Sequence, residues 1–214
     1  YVYNQYVDVY SFNTNQLFQI NSESTSNGDF ITVQALDSKL GVIYSNYSNS
    51  GNYEIAAYYG WDDFLEADRN TNAPKIILTS SQMLANVSAL TVSPFGTDTS
   101  TLMVGLENGS VFKVENANTN AAKWTNISSN KFLGSVSDIE FGINENEIFV
   151  TFHNYAVKNI FYSSDGGKTW SNKEGDLPDL PVRSVLQNPI VLNEVIIGTD
   201  LGVWYTKNFK DESP

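Results

Sequence analysis

The chain has 214 residues, enough for one domain with a sizeable core. Acidic residues outnumber basic ones 24 to 12, the formal net charge is −12, and no basic cluster breaks the deficit, which argues against a nucleic-acid or anionic-membrane partner. The absence of cysteine and the single histidine, His153, remove disulfides, thiolate metal sites, cysteine nucleophiles and multi-histidine metal centres.

Strand signals dominate, and no stretch keeps an apolar stripe at helical spacing. No apolar run has the roughly 18 residues that span a bilayer, so no membrane insertion is expected. The 12 Tyr, 12 Phe, 4 Trp and many Asn, Ser and Thr, with only 17% charged residues, suit an extracytoplasmic β-protein. The chain opens at Tyr1 without a charged-then-apolar leader, so an export signal is expected to have been removed or to lie upstream.

Tyr1 to Ile20 reads as two strands, Val2 to Phe12 and Gln16 to Ile20. From Ile31 a unit recurs about every fifty residues. Its first strand is Ile31 to Ser38, Val87 to Pro94, Val136 to Ile143 and Val182 to Pro189. Its second is Val42 to Asn46, Leu102 to Leu106, Ile148 to Phe152 and Val195 to Thr199, with Ser45, Gly105, Thr151 and Gly198 as the small or β-branched member. A third strand follows in the last three units, Val111 to Asn116, Ile160 to Asp165 and Val203 to Asn208. Gly60 to Asn72 is a polar, acidic insertion in the first unit, expected as a surface loop.

Units of this length with three or four short strands are the signature of propeller blades, because one small twisted sheet cannot bury both faces alone. The fold class expected is all-β, an incomplete β-propeller of about four blades, in preference to a β-sandwich with accidentally similar hairpins. Its parts are the end of a blade over 1–28, a blade with the insertion at 60–72 over 29–86, blades over 87–135 and 136–181, and a partial blade over 182–214. The ring is expected to continue outside this chain.

Ser163-Ser-Asp165-Gly-Gly167-Lys-Thr169-Trp170 matches S-x-D-x-G-x-T-W at every specified position. It suits a tight hairpin in which Asp165 accepts N–H bonds across the turn and Gly166 and Gly167 supply positive φ. The octet resembles an Asp-box, or BNR repeat, as found in propellers of sialidases, xyloglucan-cleaving glycoside hydrolases, sortilin-type receptors and many secreted proteins without known activity. Asn193 to Asn208 is similar to blades of large Bacteroidetes surface proteins, many of which end in a tail read by the type IX secretion system. In the other units the box is degenerate, with Asn116 and Asn208 in the place of Asp165.

The resemblance implies a structural role for Ser163, Asp165, Gly167, Thr169 and Trp170. It implies a module secreted or displayed on the outer surface of a Gram-negative bacterium, part of a longer chain and possible cargo of the type IX machinery. The expected function is non-catalytic recognition or adhesion of a glycan or a surface protein. The alternatives are a fragment of a xyloglucanase-like or sialidase-like hydrolase completed outside this chain, and a structural spacer or secretion cargo.

No catalytic residue is assigned. Sialidase chemistry needs an arginine cluster, and only Arg69 and Arg183 are present. Glycoside hydrolysis needs two suitably spaced carboxylates, and Asp37, Asp138 and Glu140 on first-strand segments are the least implausible. Asp68-Arg-Asn70-Thr-Asn72 has the D-x-N-x-N spacing that opens some calcium loops, with Asp62, Asp63 and Glu66 nearby. Ala73 then stands where the loop wants Gly and Thr79 where it wants Glu, so a flexible acidic loop is favoured over Ca²⁺ and no cofactor is expected. Tyr58, Tyr59 and Trp61 form an aromatic group that could stack on sugar faces, though core packing is the commoner use of strand aromatics. His153 reads as a strand residue facing a neighbour, and the sequons at Asn46, Asn86, Asn108 and Asn126 as chance in so Asn-rich a chain.

Overall fold

The computed structural model describes residues 7–11, 15–21, 27–28, 32–60 and 73–211. Regular structure among them is entirely β, in antiparallel sheets ordered as the chain runs. Strands β1 (Val7–Ser11) and β2 (Gln16–Asn21) form a hairpin. Blade 1 is β3 (Gln34–Asp37), β4 (Val42–Asn46), β5 (Ile55–Tyr58) and β6 (Lys75–Leu78). Blade 2 is β7 (Val87–Val92), β8 (Leu102–Leu106), β9 (Val111–Glu115) and β10 (Lys123–Asn126). Blade 3 is β11 (Val136–Phe141), β12 (Ile148–Phe152), β13 (Ile160–Ser163) and β14 (Ser171–Asn172). Blade 4 has three strands among the described residues, β15 (Val182–Gln187), β16 (Val195–Thr199) and β17 (Gly202–Thr206).

Burial explains the pattern. The second strands β8 and β12 are buried at every position, because both their faces meet a neighbouring blade, and they read as unbroken apolar runs. One apolar cluster joins blades 1 and 2 through Tyr44, Ala57, Val104 and Phe112. A second joins blades 2 and 3 through Met103, Val111, Val150 and Phe161, and a third joins blades 3 and 4 through Phe149, Val185 and Ile197. The first strands β3, β7, β11 and β15 neighbour one another in turn, so the blades fan out from a common inner edge.

Blades 2 to 4 share a further feature at that edge. Their first strands shift register between Val87 and Ala89, Val136 and Asp138, and Val182 and Ser184, which makes Ser88, Ser137 and Arg183 the extra residues of β-bulges. The small residue of each second strand lies beside its bulge. A Cβ on Gly105 would sit 2.5 Å from Cγ1 of Val136, the first residue of the next blade. At Thr151 the hydroxyl shares a 2.8 Å hydrogen bond with Ser137, whose own hydroxyl lies 2.6 Å from the Val182 carbonyl of blade 4.

Blade 1 departs from the expectation in two respects. Ser45 is out of step with Gly105, Thr151 and Gly198, because Tyr44 packs toward blade 2 while Ser45 pairs with Gln34 and Ala56 on the opposite face. The third strand Ile55–Tyr58, absent from the expectation, gives this blade four strands. The insertion therefore falls between the third and fourth strands, where blade 3 carries its Ser163–Trp170 turn.

Candidate functional site

The octet forms a self-contained turn between β13 and β14. Ser163 Oγ donates to Asp165 Oδ1 at 2.8 Å and accepts from the Gly167 amide at 2.8 Å. Asp165 accepts from the Thr169 amide at 2.9 Å and from its hydroxyl at 2.7 Å. Gly166 and Gly167 have φ of 74° and 85°, and a Cβ on Gly167 would lie 2.8 Å from Ile127. Trp170 then turns toward blade 2, donates Nε1–H to the Ile127 carbonyl at 2.8 Å, and packs edge-on against Phe132. Every specified side chain of the motif is thus engaged in closing the turn or fastening it to the preceding blade.

Hydrogen bonds from Thr169 and Ser163 hold the Asp165 carboxyl down to about 2, below its ordinary 3.8. A depressed folded value stabilises the protein above about pH 4, and that contribution disappears as pH falls through 2. Asp165→Asn is expected to lower the urea midpoint at pH 7, with the deficit shrinking toward pH 2. A deficit that did not change with pH would show that the carboxylate charge plays no part.

Two of the three first-strand carboxylates are structural. Asp37 accepts from the amides of Lys39 and Leu40 at 3.0 Å each and from Ser100 Oγ at 2.6 Å, closing the turn into β4 and tying blade 1 to blade 2. Asp138 accepts from its neighbour Ile139 at 2.9 Å and from the Val185 amide of blade 4 at 3.0 Å, while burial pushes its carboxyl up. Glu140, two residues along the same face, is raised from 4.5 to about 7 by burial and by Asp138.

A carboxyl raised on folding favours the folded state when protonated. That advantage is full below pH 4.5 and is lost as pH rises through 7. Glu140→Gln is therefore expected to match the wild type near pH 4 and to be more stable at pH 8, by about 1 kcal/mol after allowance for solvent screening of a half-buried group. Equal stabilities at both pH values in a thermal melt would refute it.

Of the aromatic group, Tyr58 and Tyr59 are described, and they differ in exposure. Tyr58 is 1% exposed and packs with Tyr47, Ala56 and Ala73, so it offers no ring to a ligand. Tyr59 is 42% exposed. Trp61, together with Asp62, Asp63, Glu66, Asp68, Arg69, Asn70 and Asn72, lies outside the described residues. Ala73 is buried, and the Thr79 hydroxyl donates to the Tyr53 carbonyl at 3.2 Å. Among the described residues, no three His, Asp or Glu side chains are placed to share a metal ion. His153 follows β12 near Arg183, which is bonded to Asp200 at 2.9 Å, and burial and the guanidinium push the imidazole down.

A cleft that the sequence did not announce opens beside the octet turn. Its volume is about 510 Å³, and Tyr162, Thr169, Trp170, Ser171, Lys173 and Lys210 contribute to its lining. That lies within the size range of ligand pockets. Phe209 closes its floor by packing on Phe149 and Tyr162 with centroids 5.0 and 5.2 Å apart. These residues come from β13, the octet turn, β14 and the segments after β14 and β17, so the octet marked only Thr169 and Trp170 among them.

The sequence matches no family model and no curated protein. Among solved structures, the chain resembles a GH74 enzyme of Niastella koreensis with TM-score 0.55 and 16% identity over 79% of this chain. It also resembles Raptor of Chaetomium thermophilum, with TM-score 0.56 and 13% identity over 85% of the chain. The WD40 domain of Toxoplasma gondii coronin follows with TM-score 0.50 and 12% identity over 78%. The fold is that of a β-propeller. The chain spans 26%, 15% and 39% of those three structures, respectively. In propeller terms, Asp37, Asp138 and Glu140 sit on the innermost strands, whereas the octet turn and the cleft sit at the outer end of blade 3.

Proposed function

We propose that this propeller segment is a non-catalytic recognition module that binds a glycan in the cleft beside the Ser163–Trp170 turn. The cleft carries the reading: aromatic rings of Tyr162 and Trp170, hydroxyls of Thr169 and Ser171 and the ammonium of Lys210 supply the mixture of flat apolar faces and polar groups that sugars require. The engagement of Asp37 and Asp138 in structural hydrogen bonds supports a module that does not cleave what it binds. The test is a glycan panel titrated against the chain with tryptophan emission as the readout. Binding that Lys210→Ala weakens about tenfold or more supports the reading, and a blank panel ends it.

A hydrolase fragment is the second reading, favoured by the likeness to a GH74 enzyme of which this chain spans 26%. Release of reducing ends from a polysaccharide by the complete polypeptide would establish it and displace the first. Secretion and a surface-protein partner rest on the Asp-box resemblance, and display on a Gram-negative surface and passage through the type IX system on the similarity of Asn193 to Asn208 to blades of Bacteroidetes surface proteins. Recovery of the protein from the outer surface or medium tests the location, and loss of that export in a type IX mutant tests the route.

A further inference from the structure

Blades 2 and 3 follow one packing rule, and blade 1 is likewise covered by the blade next in sequence. The face of blade 2 that carries Ala89, Met103, Gly105 and Val111 is covered by blade 3, and the face of blade 3 that carries Asp138, Phe149, Thr151 and Ile160 is covered by blade 4. The covering blade is always the next in sequence, reached by the connections 79–86, 127–135 and 173–181. It always brings a valine at the start of its first strand, Val136 against Gly105 and Val182 beside Ser137 and Thr151. A polar side chain of the covered first strand then bonds the backbone of the next one, as Thr91 does with the Ile139 carbonyl and Asp138 with the Val185 amide.

Among the described residues, no blade covers the corresponding face of blade 4. Strand pairing puts Leu186, Ile196 and Tyr205 in one row across it, and Ser184, Gly198 and Val203 in the next. These rows are register equivalents of Glu140, Phe149 and Tyr162 and of Asp138, Thr151 and Ile160 in blade 3. Leu186 is 56% exposed, Val203 75% and Tyr205 69%, and Ile196 is exposed beside them. A contiguous apolar face of this kind is an interface waiting for its partner.

We propose that this face takes a further blade of the same polypeptide, which seats a β-branched residue at the start of its first strand on Gly198 and bonds its backbone to Ser184. Continuity with the two interfaces already formed fixes the occupant. The partner is the blade next in sequence, because that is what covers blades 2 and 3. Gly198 has the open space for it, since among the described residues a Cβ there meets no atom outside its own blade and closely approaches only the Ser184 hydroxyl, at 2.7 Å. Ser184 stands in the register position of Asp138, whose oxygen receives the Val185 amide.

The experiment is carbene footprinting of the natural full-length polypeptide and of residues 1–214, read at Leu186, Val203 and Tyr205, with solution mass measured alongside. Labelling of these residues should fall about tenfold in the full-length protein relative to monomeric 1–214. Gly198→Trp in the full-length protein should restore it, while labelling at the buried blade 2–3 contact stays low as proof of folding. A natural polypeptide that ends at Pro214, or one that leaves the three residues as reactive as in the shorter chain, overturns the proposal. So does protection that appears only with dimerisation, which would make the occupant a second copy.

Discussion

Trp170→Ala is expected to lower the unfolding free energy by about 3 kcal/mol, the lower part of the range for deleting a large aromatic, since the ring is half-buried. Two losses combine. The indole packs against Phe132 with centroids 5.0 Å apart, and Phe132 in turn touches Phe152 and Phe161, so removing the ring opens a gap beside the cluster that joins blades 2 and 3. Its Nε1–H bond also leaves the Ile127 carbonyl without its donor. For a domain of this size the expected fall in melting temperature is about 8 °C. Trp170→Phe separates the terms, because it keeps most of the packing and gives up the hydrogen bond, at a cost of about 1 kcal/mol. If both variants melted with the wild type, the turn would contribute nothing to holding blade 3 on blade 2.

The same residues show how far the sequence could be read. The octet was legible because the bonds that close its turn are local, within the eight residues from Ser163, whereas the partners of Trp170, Ile127 and Phe132, lie far back in the chain. The second strands of blades 2 to 4 were legible to the residue: in blades 2 and 3 burial on both faces leaves only apolar or small side chains, and blade 4 carries the same run with one face exposed. Ile55–Tyr58 was not, since two of its four residues are alanines, which give little strand signal yet are wholly buried. Ser45 misled for a related reason: a five-residue strand reads alike in two registers one residue apart, and the packing of Tyr44 against blade 2 decides between them.

The site was less legible than the fold. Asp37 and Asp138 looked like free inner-strand carboxylates because their partners, Ser100 and the Val185 amide, lie in the following blade. Tyr58 could be read as a sugar platform or, more commonly for a strand aromatic, as core, and only the packing of Tyr47 and Ala73 over it decides for core. The cleft beside Trp170 joins β13 to the segment after β17, a juxtaposition that only the assembled blades create.

The second large effect compares one substitution at two equivalent positions. Gly105→Val is expected to cost about 3 kcal/mol, because the new Cβ would stand 2.5 Å from Val136 Cγ1 and 3.2 Å from Ala89 Cβ, and the blade 2–3 contact cannot close over it without shifting β11. Gly198→Val, at the same register in blade 4, meets only a Ser184 hydroxyl that can rotate away. Valine there also removes the backbone freedom of a glycine within a strand, so in the 214-residue chain the change should be neutral or stabilising by about 0.5 kcal/mol. Urea melts of the two variants decide the matter, and equal costs would mean that the clash at Val136 is relieved elsewhere. In a polypeptide whose further blade covers blade 4, Gly198→Val should become as costly as Gly105→Val, because the seat of the incoming side chain would then be filled. The difference between the two sites therefore measures the presence of a covering blade, independently of labelling.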